Sequence, residues 1–349
     1  IFGTGNPQDI ALAFLDSDRH DSEITKKEAE GELAELLLRD FGFETPKDSG
    51  LHDLRQRLAR HVLLTDLVAG LGGAVPSKLD SAPIASVAAS RNACMALART
   101  WRLRRDRRES YIAAATQVEQ EFALATLDFY PDAIAEIETF SAIERALLRH
   151  VENRLLEATD GEMLNAAESR LSRFWCDVEP KLQARWALVA SAAEVLLEAE
   201  RVEQAMKKAP TSLPDLVKQY ADGRSPWCQL DTHHRHMESR WHNFEPQIGD
   251  DHESIEKLIV RARQRYTQVG SDLARQFVGQ IQKTRLPIKG LIRQRDIFEK
   301  HVKPTLGTAK VAYVWVDALR FEMARELARL LKDDFETELH PAVSAVPTI

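Results

Sequence analysis

The sequence predicts a mainly α-helical chain that leads into the first β-α-β of an α/β domain. Three observations carry that prediction. Fifteen Gly and fourteen Pro are few for 349 residues, so chain breakers are sparse. Apolar residues recur at helical spacing through most of the chain as far as about residue 303. Then the pattern changes. Val311, Ala312, Tyr313, Val314, Trp315 and Val316 form an unbroken apolar run rich in β-branched and aromatic residues, the signature of a strand buried on both faces. From Ala318 the period is helical again, with Leu319, Met323, Leu327 and Leu330 on one stripe. The expected organisation is a small helical unit over 1–75, a larger helical bundle or linker over 76–303, and the start of the α/β domain over 304–349.

The elements follow in order. Residues 7–16 are a short apolar run too brief to assign. Thr25 and Glu28 have capping-box spacing ahead of Ala29, Leu33, Leu36 and Leu37, and Phe41-Gly42 ends that helix. Leu51, Leu54, Leu58 and Val62 mark the next, which runs into Gly70, Gly72 and Gly73. A loop with Pro76 and Pro83 separates the two helical units. A helix from about Ala85 ends in Trp101-Arg-Leu-Arg-Arg-Asp-Arg-Arg108, and another spans Ser110 to about Leu127. Five arginines in eight residues invite a nucleic-acid reading. A charged face set against acids such as Glu119, Glu121 and Asp128 is the plainer account, and the one preferred.

Ser141 and Glu144 repeat the capping-box spacing before the stripe Ile143, Leu147, Val151 and Leu155, which Asp160-Gly161 breaks. Leu182, Trp186, Val189, Ala193 and Leu196 mark a helix from Pro180 to about Lys208. Ser212-Leu213-Pro214 starts the next, with Pro in its first turn. Cys228, His233, His234, His236, His242 and His252 fall close together, but no spacing among them matches a structural zinc pattern, and the segment reads as aromatic-rich packing. A long helix runs from about Asp251 to Leu286 with Ile255, Leu258, Ala262, Val269, Leu273 and Phe277 on one face. A shorter helix is expected over 290–303, and a short second strand over Phe335–Leu339.

Composition narrows the function classes. With 44% apolar and 29% charged residues, the chain has ample core for a globular protein. No apolar run approaches the ~20 residues of a membrane span, so no membrane partner is expected. Cys94, Cys176 and Cys228 lie far apart with no paired spacing, which suits the reducing cytoplasm. The net charge of −7 argues against a general nucleic-acid binder. One stretch differs. From Ile259 to Lys310 there are twelve Lys and Arg against three Asp and Glu, where a polyanion such as DNA or a nucleotide can dock or where acidic helices can pair. The chain opens on Ile1 and stops within a supersecondary unit, so it reads as a piece of a longer protein cut at both ends.

Asp317 stands where the apolar run meets the helix. In open α/β sheets this strand tip is where ligands bind. Three roles compete there: a helix N-cap, a phospho-accepting Asp and a ligand for a catalytic divalent metal. A haloacid-dehalogenase-type site wants a second Asp where Leu319 stands, and a dinucleotide fold wants glycines that this turn lacks.

The string VDALRFEMARELARLL over 316–331, followed about a dozen residues later by SAVPTI, resembles the opening of a PglZ domain, a branch of the alkaline phosphatase superfamily found in bacterial phage-defence systems of the BREX type. Tyr220, Trp227, Leu230 and Asp231 before a His/Arg-rich helix also look like the spacer upstream of that domain in defence-type members. The resemblance implies an alkaline-phosphatase-like α/β fold and a pair of divalent metals, in the superfamily usually zinc. Asp317 matches the strand-end ligand of one of them. It also implies a Ser or Thr nucleophile after the next strand. Val346 to Ile349 resembles the run just before that nucleophile, which on this register follows Ile349; Thr348 is the candidate present. Arg320 can reach a phosphate oxygen or pair with a neighbouring acid. The implied activity is hydrolysis of phosphate esters, most naturally phosphodiesters of nucleotides or nucleic acid, alongside other BREX defence proteins in the cytoplasm. The superfamily's further Asp and His ligands have no match here, so this stretch by itself is expected to be inactive. A second reading from another class is a helical scaffold that docks partner proteins of a defence complex; exposed apolar patches favour it, and an occupied two-metal centre favours the enzyme. A response-regulator effector would need a receiver domain upstream, whose paired acids residues 1–20 do not show.

Overall fold

The computed structural model describes residues 1–46, 49–208, 212–245, 252–283, 288, 290–308 and 310–343. The helices are α1 (Pro7–Asp16), α2 (Asp21–Lys26), α3 (Glu30–Phe41), α4 (Leu51–Leu71), α5 (Ala88–Leu103), α6 (Arg108–Glu121), α7 (Pro131–Ile134), α8 (Ser141–Glu157), α9 (Gly161–Arg170), α10 (Phe174–Val178), α11 (Pro180–Met206), α12 (Leu213–Ala221), α13 (Gln229–His242), α14 (Glu253–Lys283) and α15 (Phe321–Leu331). The strands β1 (Ile292–Arg293) and β2 (Ala342–Val343) pair in parallel, Ile292 with Ala342 and Arg293 with Val343. The chain divides into two compact units, one of residues 1–153 with 169–183, the other of residues 154–168 with 184–349. The boundary expected near residue 75 falls inside the first unit, where α4 packs on both α5 and α6.

In the first unit, the run left unassigned over 7–16 is α1. Its local signals are strong: Asn6 accepts from the backbone N–H groups of Gln8 and Asp9 at 2.9 and 3.4 Å, and Pro7 opens the helix. Helix α4 buries Leu58, Val62, Leu63, Leu64 and Leu67, more than the single stripe its spacing suggested. Gly42 ends α3 as expected, with φ of 63°. A Cβ added there would also come within 3.1 Å of the Ser90 side chain, so both backbone and packing call for glycine.

Neither predicted capping box forms. Glu28 takes a left-handed conformation after α2 ends, and α3 starts only at Glu30. Ser141 donates to Glu179 at 2.7 Å, and Glu144 forms a buried ion pair with Arg170, the two side chains 0% and 1% exposed. The same guanidinium donates to the carbonyls of Ala135 and Ile137 at 2.7 and 3.3 Å. Tertiary contacts thus claim side chains that local spacing assigned to caps. Cys94 and Cys176 are buried as free thiols, and burial pushes both up to about 12.

In the second unit, α11 is mostly buried from Trp186 to Ala199, with Leu188, Val189, Ala192, Val195 and Leu196 all inaccessible, and its later turns expose Glu200 and Gln204. Ser212 caps α12, accepting from the Asp215 N–H at 3.3 Å. Helix α14 runs for 31 residues, about 46 Å at 1.5 Å per residue. Its predicted stripe holds, with Ile255, Leu258, Ala262 and Val269 buried. Cys228 precedes α13 as a buried free thiol, pushed up to about 11 by burial.

The C-terminal part departs from expectation. In place of one helix over 290–303 there are β1 and then three short helical segments, 3₁₀ over Gln294–Asp296, π over Phe298–Val302 and 3₁₀ over Lys303–Thr305. The run 311–316 makes no strand pairing among the described residues, and Val314 and Trp315 are each 75% exposed. A strand buried on both faces needs ladder neighbours and covering helices, and the described residues supply neither. Residues 335–339 are likewise irregular, and the second strand lies instead at Ala342–Val343. So the chain is mainly helical, and its β structure is the single two-residue pairing of β1 with β2 among the described residues.

Candidate functional site

Asp317 lies in an exposed turn, three residues before Arg320, which occupies the N-cap position of α15 without a side-chain cap. The Asp317 carboxylate accepts from its neighbour, the Ala318 N–H, at 2.8 Å, and Ala318 is left-handed with φ of 55°. Asp317 is therefore not the cap of the helix. Arg320 is exposed at the helix mouth. Thr348 falls outside the described residues. Among those residues no group of three or more His, Cys, Asp or Glu stands together as metal ligands do, so the residues around Asp317 do not by themselves make a metal centre.

Helix α15 is turned opposite to the expectation. Glu322 and Glu326 lie off the predicted apolar stripe, yet Glu322 is 2% exposed, and Glu326 pairs with Arg235 and, at 2.9 Å, with His236. Arg325 donates to the backbone carbonyls of Ala221 and Gly223, both at 3.0 Å. Leu330 of the apolar stripe is 67% exposed. The helix docks by its charges because α13 presents Arg235 and His236 to it.

Helix α13 is the hub of this region. His233 and His236 have i, i+3 spacing, yet each of the three histidines His233, His234 and His236 meets a different partner. His233 Nδ1 lies 3.4 Å from Glu194 of α11. The His234 ring stacks on Tyr266 of α14, centroids 3.7 Å apart, and its Nε2 lies 3.4 Å from Glu238, which also receives Arg263 at 2.6 and 2.7 Å. His236 meets Glu326 of α15. The histidine-rich segment is a set of separate acid contacts, in keeping with the packing reading.

These contacts make one pH dependence. Burial alone would lower His233, but the Glu194 carboxylate outweighs it, with help from Glu198 and against Arg201, and the imidazole is held above its usual value. Glu194 is held below its usual value, although burial opposes this, chiefly by the His233 contact. A raised His contributes stability that is complete below the unfolded value and fades as pH rises through the folded one; a lowered Glu contributes stability that fades as pH falls. The pair is thus strongest between roughly pH 4.5 and 6.5. His234 acts in the opposite sense, lowered chiefly by burial. The expected result is that His233→Gln flattens the loss of stability between about pH 6.5 and 8, read as the denaturation midpoint across a pH series. An unchanged slope would remove His233 from this role.

A cavity of about 650 Å³ lies between α12, α14, Phe321 and the segment 341–343. Its walls include Leu216, Leu273, Phe277 and Phe321. Its main polar feature is the Asp231 carboxylate, which accepts from the Tyr220 hydroxyl through Oδ2 and from the Tyr266 hydroxyl through Oδ1, both at 2.8 Å. Burial first, and the Asp231 charge second, push both phenols well above the usual tyrosine range, so they stay donors. No local pattern in the chain announces this site. Tyr266 sat inside a run read for its charge, and Tyr220 and Asp231 were singled out only as part of the spacer resemblance, not as partners in a site. The only available signal was an acid and two tyrosines on separate helices, and only folding brings them together.

Most of the arginines over 101–108, and part of the basic residues over 259–310, are paired with acids. Arg104 pairs with Asp106, Arg108 with Asp177, and Arg102 lies 3.7 Å from both Asp66 and Glu138. From 259 to 310, Arg263 holds Glu238, Arg265 holds Glu203 at 3.1 Å, Arg275 holds Asp272 and Arg293 holds Asp296. The charged-face account fits both, though for 101–108 the acids are not those expected. No helix among the described residues is long and apolar enough to cross a membrane. Comparison with protein-family models, with curated proteins and with solved structures gives no match to this chain.

Proposed function

We propose that this chain belongs to a metal-dependent phosphoric ester hydrolase of the PglZ type acting in phage defence, with nucleotide or nucleic-acid phosphodiesters as substrate. The observation that carries the reading is the sequence from Lys310 to Leu331: an apolar run, an acid at its end and an amphipathic helix, in the order that the PglZ resemblance requires. In this reading Asp317 binds one of two zinc ions, Arg320 steadies a phosphate oxygen, and Thr348 or a hydroxyl following Ile349 attacks phosphorus. Two metals supply a clamp on the attacking and leaving oxygens of an in-line displacement. The described residues lack the remaining ligands, so the reading needs them from further sequence and expects no hydrolysis from residues 1–349 alone. It also takes the uncovered apolar side chains at 311–316 and on α15 as surfaces that a larger sheet covers.

The test is metal content of the full-length protein beside its Asp317→Ala variant, with cleavage of a chromogenic phosphodiester followed in parallel. About two divalent ions per chain and cleavage, both lost in the variant, are the expected result. A metal-free, inert wild type would end the reading.

A second reading is favoured by one observation. Val314, Trp315, Val316, Leu330 and Phe335 gather exposed apolar surface into one short stretch, as a docking face for protein partners does. A helical scaffold for other defence proteins is then the function, and a metal-free full-length protein that still co-purifies with them is its expected signature.

A further inference from the structure

The cavity around Asp231 does not depend on Asp317 or on any metal, and its chemistry points elsewhere. Its volume of about 650 Å³ falls in the range that holds a small organic ligand. Its walls are apolar and aromatic, with one carboxylate fixed in place by two phenols. Each Asp231 oxygen takes one phenol hydrogen and keeps a lone pair to give. Among the described residues no Lys, Arg or His forms an ion pair with Asp231. The nearest imidazole, His234, is lowered by burial and stacked on Tyr266. Close by, Glu322 is buried at 2% exposure with its Oε1 lacking any hydrogen-bond partner. Burial raises its carboxyl, and the Asp231 charge raises it further, against Arg320 and Arg235. Among the residues that line the cavity, Asp231 is the one charged group.

That single charge selects the ligand's sign. A phosphate or carboxylate would meet Asp231 with like charge. A metal ion would find one carboxylate already engaged by two phenols, and no cluster of three ligands. A wholly apolar ligand would leave the Asp231 lone pairs facing hydrocarbon, which is costly. An ammonium group answers each point. Its N–H donors meet the Asp231 oxygens as charge-assisted hydrogen bonds. The aromatic residues Tyr220, Tyr266 and Phe321 line the same cavity as that carboxylate.

We propose that this cavity binds a small organic amine: a primary ammonium group held by Asp231 and the aromatic rings around it, on an aromatic or aliphatic body lying against Leu216, Leu273 and Phe277.

Calorimetric titration of the protein with phenethylammonium tests it, with 2-phenylethanol as the uncharged analogue of similar shape and phenylacetate as the anion. The expected result is saturable binding of phenethylammonium at one site per chain, with a Kd of micromolar to submillimolar order. The alcohol should bind about 10- to 100-fold more weakly, the worth of one charge-assisted hydrogen bond, and the anion not at all. Asp231→Asn keeps the shape and removes the charge, and should erase the preference for the cation over the alcohol. Gly270→Leu is the second variant, for the case that Asp231→Asn does not fold. Gly270 lines the cavity from the middle of α14, and a Cβ there meets nothing within 4 Å. A leucine favours the helix and fills the space, so it should abolish binding with the fold intact. No saturable binding of phenethylammonium up to about 10 mM overturns the proposal. So does equal binding of the alcohol, or binding that both folded variants leave unchanged.

Discussion

Replacing Arg170 with Ala lowers the stability of the unit that contains it by about 3–5 kcal/mol. The guanidinium is 1% exposed and faces Glu144, which is 0% exposed. Without Arg170, Glu144 is a buried carboxylate with its charge partner gone, and the carbonyls of Ala135 and Ile137 lose their donor. The net worth of the intact pair is a different and smaller quantity, because both ions gave up water to be there. A double variant, Arg170→Met with Glu144→Leu, should therefore recover part of the loss. It should not recover all of it, since the two carbonyls stay unpaired at about 1–3 kcal/mol each. Denaturant titration followed by circular dichroism distinguishes these outcomes. A single variant within about 0.5 kcal/mol of wild type would mean that Glu144 finds water or another partner.

Trp186→Ala is the second large loss, about 3–5 kcal/mol in the other unit. Trp186 is fully buried among the other buried residues of its helix, so truncation leaves a cavity inside the core. Its indole N–H has no hydrogen-bond partner. Trp186→Phe should therefore cost clearly less than Trp186→Ala, because it trims volume and also removes a buried, unpaired donor. Equal losses from the two variants, measured as denaturation midpoints with a constant slope, would show that the indole's shape and not its volume is what the core requires.

The helices were legible where one local pattern met one structural demand. The stripes of α3, α8 and α14 needed only a buried face and a break, Gly42 supplied the end of α3, and Ser212 and Pro214 marked the start of α12. Helix α1 was missed for its brevity, although Asn6 and Pro7 marked its start. Helix α15 shows what periodicity leaves out. The stripe told which residues share a face, not which face meets the protein. Arg235 and His236 on a distant helix decided that by drawing Glu326 inward, and the leucines were left outside. The run 311–316 was read from composition as buried, yet burial belongs to neighbours, and none of the described residues cover it. Asp231 with its two tyrosines was illegible for a related reason: each residue is ordinary in its own segment, and their meeting depends on how α12, α13 and α14 pack.

The three cysteines make the protein its own recorder of motion. Cys94 and Cys176 lie in one unit and Cys228 in the other, all buried with thiols held far from the reactive thiolate. At neutral pH an alkylating reagent meets an unreactive surface until a unit opens. Mass spectrometry of time-resolved labelling then assigns each modification to its peptide. The ratio of the Cys94 and Cys176 rates to the Cys228 rate measures, without any introduced label, whether the two units breathe together or separately.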